Sequence, residues 1–139
     1  MNASALWPVR HVTISIDRPP AEVYEFAAYP QNLPRWAKGL AGSITRVDDE
    51  TWVADAPMGK VKVRFADRNA FGVLDHDVTL ESGVTIHNPM RVLSNAGGSE
   101  VVFSLFRRPG ITDAEFESDA SAVARDLSAL KALLESSAR

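Results

Sequence analysis

The sequence contains no cysteine among its 139 residues. Disulfides, thiolate nucleophiles and thiolate metal sites are therefore excluded. It also lacks any run approaching the roughly 20 apolar residues that span a bilayer, and residues 1–10 contain no apolar core of signal-peptide length. From these absences we expect no membrane span and a cytoplasmic location.

An excess of charge of one sign is also missing. The 15 basic and 18 acidic residues give a formal net charge of −3 and form no blocks, so we expect no nucleic acid partner. Zinc-protease, nucleophile-elbow, Walker and dinucleotide-binding motifs are absent. His11, His76 and His87 are predicted on different strands or faces, which argues against a three-histidine metal site. We therefore expect no metal and no cofactor.

The most informative feature that is present is an apolar stripe at helical spacing near the end of the chain. Thr112 and Glu115 form a T-x-x-E capping box at its start. One long amphipathic C-terminal helix is predicted from this pattern, within a single domain over residues 1–139. The stripe consists of Phe116, Ala120, Val123, Leu127, Leu130 and Leu134.

The rest of the chain indicates short strands interrupted by an early helical stretch. Pro19 and Pro20 favour a helix entry and Pro30 a stop, with a second short helix around residues 32–39. The fold class predicted from this order is α+β, with a curved antiparallel sheet that buries the stripe of the long helix. The predicted strands are 11–17, 43–47, 51–56, 59–68, 72–81, 84–94 and 99–107.

Strand registers follow if the apolar residues of each hairpin share one face, because a slip of one residue would expose them all. Within this register, two polar residues, His76 and Asn88, lie opposite each other on an apolar face. Asp67 is predicted to point the same way, nearer the strand end. The other inward pairs include Val63 with Val78, Phe65 with His76, and Met90 with Phe103.

Two interpretations of His76 and Asn88 stay open. They could bond each other in the core, since a buried polar group without a partner costs a few kcal/mol. Alternatively, they could hold a phenol or carbonyl, or His76 could exchange a proton with it. Further candidates for the wall of a ligand cavity are Trp36, Trp52, Met58, Phe65, Asp67, Met90 and Phe103.

The segment Ile16-Asp17-Arg18-Pro19-Pro20-Ala21-Glu22-Val23-Tyr24-Glu25-Phe26, then Leu33-Pro34-Arg35-Trp36, and the closing helix resemble the START-like (SRPBCC) superfamily. More narrowly, the chain resembles its polyketide cyclase/dehydrase-like group. The resemblance implies a helix-grip fold: a seven-stranded antiparallel sheet wrapped around the long helix, with two short helices after the first strand. It also implies a cavity for hydrophobic ligands, such as aromatic polyketides or lipids.

Three functions are consistent with these residues. The first is binding of a small hydrophobic or aromatic molecule oriented by His76 and Asn88. The second is a cofactor-independent cyclase or dehydratase, with His76 as general acid/base and Asn88 holding the enolate oxygen. The third is a protein-interaction module with a filled core. Whether the chain forms a homo-oligomer stays open.

Overall fold

The computed structural model describes residues 6–37, 43–56 and 59–136. Within these ranges every strand pair is antiparallel and a long helix closes the chain, so the predicted α+β class is confirmed. The elements are β1 (Val9–Ile16), α1 (Pro20–Ala27), α2 (Leu33–Trp36), β2 (Ser43–Arg46), β3 (Trp52–Ala56), β4 (Gly59–Phe65), β5 (His76–Thr79), β6 (Thr85–Asn88), β7 (Met90–Asn95), β8 (Gly98–Phe106) and α3 (Asp113–Glu135).

The strands of the described residues form two sheets. One has the order β1-β8-β7 and the other β2-β3-β4-β5-β6. The predicted single seven-stranded sheet is therefore wrong. Its predicted strand 84–94 divides at Pro89 into β6 and β7, because proline has no amide hydrogen to donate to a sheet ladder.

The registers around the centre of the larger sheet are confirmed. His76 pairs with Asn88, and the next pair on the same face is Val78 with Ile86, as the hairpin argument requires. The limits of these strands differ from the predicted ones: β4 ends at Phe65, and β5 begins at His76, since Val73 makes no more than an isolated bridge to Arg91. The other confirmed pairs are Val63 with Val78, Phe65 with His76, Met90 with Phe103, and Val92 with Val101.

Prolines set the limits of the two helices that follow β1. Pro20 lies in the first turn of α1, where its missing N–H leaves no helical bond unmade. The helix ends at Ala27, and the 3-10 turn Pro30–Asn32 leads into α2. Both predicted short helices are confirmed, and α2 ends on the buried Trp36. Residues 38 and 39 of the second predicted helix lie outside the described residues.

The long helix α3 begins at the predicted capping box. The Thr112 hydroxyl accepts the Glu115 N–H at 3.1 Å, and the Glu115 carboxylate accepts the Thr112 N–H at 2.9 Å. The predicted stripe is buried at Ala120, Leu127, Leu130 and Leu134 and half-buried at Phe116 and Val123. None of the helices in the described ranges is long and apolar enough to cross a lipid bilayer.

The C-terminal end of α3 is fastened to the end of β1. The Arg18 guanidinium donates to the Glu135 carbonyl at 2.8 Å, and Lys131 donates to the Ser15 carbonyl at 2.7 Å. The Glu135 carboxylate in turn accepts the Asp17 N–H at 2.7 Å. These bonds fix one end of the helix, while its N-terminal half faces a cavity.

Candidate functional site

A cavity of about 210 Å³ lies between α2, the N-terminal half of α3 and the strands β5, β6 and β8. Its wall is mainly apolar, and the space is open in the described part of the chain. The filled core that the third hypothesis requires is therefore not what this structure has. Apolar wall residues include Leu33, Val78, Ile86, Leu105, Val123 and Leu127.

His76 is the most deeply placed polar residue of the cavity wall, with 6% of its surface accessible. Its Nδ1 lies 2.9 Å from the Leu74 carbonyl oxygen. The ring lies between Phe65, at a centroid distance of 5.1 Å, and Phe103, at 5.8 Å in an edge-on arrangement. These contacts hold the imidazole in one orientation at the wall.

Burial lowers the pKa of the His76 imidazole below its usual value, and this effect exceeds the opposing influence of the Leu74 hydrogen bond. The ring is therefore neutral at neutral pH. A carbonyl oxygen only accepts hydrogen bonds, so Nδ1 carries the single ring proton and Nε2 presents a lone pair. Among the described residues Nε2 has no hydrogen-bond partner.

Asn88 lies directly across the β5–β6 ladder from His76 and also lines the cavity. No hydrogen bond joins the two side chains in the described structure, and the Asn88 amide has no side-chain partner there. The interpretation in which the pair satisfies itself inside the core is therefore wrong, because Nδ1 of His76 bonds to the backbone instead. Both groups are left with hydrogen-bonding capacity toward the cavity.

Three charged residues at the cavity were missed by the sequence reasoning: Arg108, Asp119 and Asp126. Burial raises the pKa of the Asp119 carboxyl; Arg108 opposes this shift and Glu115 adds to it. Asp119 is exposed as a whole residue, so the shift reflects crowding around the carboxyl rather than complete burial. The sequence did contain a signal for the two aspartates, because positions 119, 122 and 126 follow helical spacing along a line beside the apolar stripe.

Two further predicted cavity residues, Trp36 and Phe103, do line the space. Trp36 is 4% exposed, and its indole N–H has no hydrogen-bond partner among the described residues. The short helix α2 thus supplies an aromatic part of the cavity wall.

The remaining predicted ligand contacts are placed elsewhere. Trp52 and Phe65 are half-buried and Met90 is fully buried, and none of the three belongs to the cavity wall. Asp67 is exposed, so its predicted inward orientation is wrong: β4 ends at Phe65, and the alternation of a strand no longer governs a residue two positions beyond it. Met58 lies outside the described residues.

Comparison with known families accounts for this architecture. The model of a family described as polyketide cyclase / dehydrase and lipid transport matches residues 10–135. The chain belongs to this family. The resemblance to the START-like superfamily read from the sequence is thereby confirmed. A comparison with curated proteins finds no match.

Solved structures of similar proteins agree with the family's fold. Ara h 8.0201 is 15% identical, with 94% of this chain and 99% of that chain covered and a TM-score of 0.74. The Aha1 dimer from Colwellia psychrerythraea is 16% identical, with 93% and 97% covered and a TM-score of 0.73. DynU16, from the dynemicin biosynthetic locus, is 16% identical with a TM-score of 0.72; 92% of this chain is covered, but it spans only 47% of DynU16. Identities this low show the fold alone.

Proposed function

We propose that this protein binds a small, largely apolar molecule in the cavity between α3 and the strands β5, β6 and β8. The observation that carries the proposal is an open, mainly apolar space whose wall holds two uncharged polar side chains, His76 and Asn88, with unused hydrogen-bonding groups. Convergent polar groups in an apolar pocket are typical of small-molecule sites. The family description, which includes lipid transport, supports the same class of ligand.

The size of the cavity limits the ligand. An apolar cavity of about 150 Å³ is known to hold one benzene molecule, and many pockets for drug-sized ligands exceed about 300 Å³. A space of about 210 Å³ therefore suits a single aromatic ring with short substituents, or an aliphatic group of similar bulk. Large multi-ring compounds would require the walls to move.

The polar and apolar parts of the wall would both contribute to binding. Nε2 of His76 can accept one hydrogen bond from a ligand, and the apolar side chains around it can bury the rest of the molecule. A ligand that hydrogen-bonds this nitrogen and fills the apolar space would gain from both sources.

A pair of substitutions on one helix tests the proposal. Ala122 lines the cavity and Ala124 is exposed on the other side of α3. Ala122→Phe should fill the space and weaken binding of 4-ethyltoluene, measured by titration calorimetry, at least about tenfold. Ala124→Phe carries the same change in helix propensity and should bind as the wild type does. Equal binding by both variants, or no binding by the wild type, would overturn the proposal.

A second candidate is a cyclase or dehydratase activity at the same site. The specific observation in its favour is a neutral imidazole with a bare Nε2 beside an unpaired amide. Nε2 could accept a proton from an enolisable substrate while the Asn88 amide donates to the developing oxygen. If His76→Ala abolishes turnover of a short polyketone and leaves its affinity within a few-fold, catalysis is favoured; loss of affinity alone favours binding.

A further inference from the structure

We infer that the ligand of this cavity carries a hydrogen-bond donor, such as a phenolic or alcoholic hydroxyl, that binds Nε2 of His76. The inference rests on the proposed binding function and narrows its ligand class. It follows from which nitrogen of the imidazole is already engaged in a hydrogen bond.

The hydrogen bond to the backbone selects the tautomer. Because the Leu74 carbonyl can only accept, Nδ1 of His76 must donate to it across 2.9 Å. In a neutral imidazole the other nitrogen is then an acceptor without a proton. A ligand that meets this atom must bring the hydrogen itself.

The contacts of the ring oppose both the other tautomer and a flipped ring. In the other neutral tautomer the bare Nδ1 would face the Leu74 carbonyl, setting two lone pairs against each other, and turning the ring over would put Cδ2–H there in place of the Nδ1–H donor. The ring would also have to rotate between Phe65 and Phe103, whose centroids lie 5.1 and 5.8 Å from its own. The acceptor at the cavity wall is therefore a fixed property of the packing.

Ligands without a donor are disfavoured at this position. A ketone or an ether would set a lone pair against Nε2, and neither has a hydrogen to donate to it. A carboxylate would set the same kind of lone pair against Nε2. The Asn88 amide both donates and accepts, so it does not discriminate. The selection of ligands that carry a hydrogen-bond donor therefore depends on His76.

Matched probes separate the hydroxyl from the rest of the ligand. In 4-ethyltoluene a methyl group replaces the hydroxyl of 4-ethylphenol, and 4-ethylanisole keeps the oxygen but lacks its hydrogen. The measured quantity is the ratio of the Kd of 4-ethyltoluene to that of 4-ethylphenol, obtained by calorimetry. We expect this ratio to fall about tenfold in His76→Phe relative to the wild type, because the phenylalanine ring keeps the packing and removes the acceptor.

The control is His87→Phe, the same change on the neighbouring strand at an exposed position. Its ratio should match that of the wild type. An unchanged ratio in His76→Phe, or wild-type affinity for 4-ethylanisole equal to that for 4-ethylphenol, would overturn the inference while leaving apolar binding intact. Failure of the wild type to bind either 4-ethyltoluene or 4-ethylphenol would instead refute the binding function itself.

A measurement on the wild type guards against a variant that does not fold. In ¹⁵N NMR of histidine-labelled protein, Nε2 of His76 should show the signal of an unprotonated ring nitrogen. Saturating 4-ethylphenol should shift that signal upfield, and 4-ethyltoluene should not. A protonated Nε2 in the free protein, or the same shift with both probes, would contradict the inference.

Discussion

The buried His76 ring predicts a specific dependence of stability on pH. Burial lowers its pKa in the folded protein, and this outweighs Asp75 and Asp77, which act in the opposite direction from the same strand region. The unfolded chain therefore binds the proton more readily than the folded chain does. The contribution to stability is fully present above pH 6.5, the ordinary value of the imidazole, and is lost as the pH falls below it.

The magnitude follows from one proton. While the folded ring stays neutral, each pH unit below about 6.5 lowers the free energy of unfolding by at most about 1.4 kcal/mol. Replacing the ring by phenylalanine should remove this dependence. The wild type should therefore lose up to about 1.4 kcal/mol relative to His76→Phe between pH 7.5 and pH 5.5.

The assay is urea unfolding followed by circular dichroism at several pH values between 7.5 and 5.5. The informative quantity is the difference in the free energy of unfolding between wild type and His76→Phe at each pH. Other titrating groups are common to both proteins and cancel in the difference. Parallel curves for the two proteins would refute the claim that the folded protein keeps this ring neutral.

Three further substitutions test parts of the fold. Gly72→Ala should lower the free energy of unfolding by about 1–3 kcal/mol, because the φ of Gly72 is +73° and a Cβ there would collide with a carbonyl oxygen of β7. Gly97→Ala, where a Cβ meets nothing within 4 Å, is the control in the same urea experiment. Thr112→Ala should cost about 1 kcal/mol through loss of the capping box, measured as a lower Tm. Asp75→Asn should cost about 1–3 kcal/mol at pH 7, because it breaks the two-point contact with Arg91. Arg91 lowers the Asp75 pKa, so this cost should begin to shrink as the pH falls below about 4, where the unfolded chain takes up the proton, and should disappear only below the lower pKa of the folded carboxyl.

The order of elements and the central registers could be predicted because both depend on local patterns. Alternation along β5 and β6 required His76 and Asn88 to share the inner face, and the pairing in the structure is the one predicted. The break at Pro89 was missed because the alternation continues across it. The proline itself carried the signal, since a residue without an N–H interrupts the ladder of any strand that is paired on both sides.

The polar part of the cavity was only half predictable. Two inward polar residues on strands stand out against apolar neighbours, whereas Asp119 and Asp126 occupy a helix that is expected to be charged on its outer side. Which charged face borders a cavity depends on how far the helix is rotated against the sheets. That rotation is set by distant contacts, such as Lys131 with the Ser15 carbonyl, and no local pattern reports it.

The cavity itself follows from two adjacent faces of α3. The core face carries large apolar residues such as Leu127, whereas the next face along the helix carries Asp119, Ala122 and Asp126. The methyl group of Ala122 is too small to reach the strands. The two carboxylates resist burial, so neither can occupy the interior in its place. A leucine at position 122 would close much of the space. The cavity therefore depends on one small residue of α3, Ala122, that lies between two charged ones.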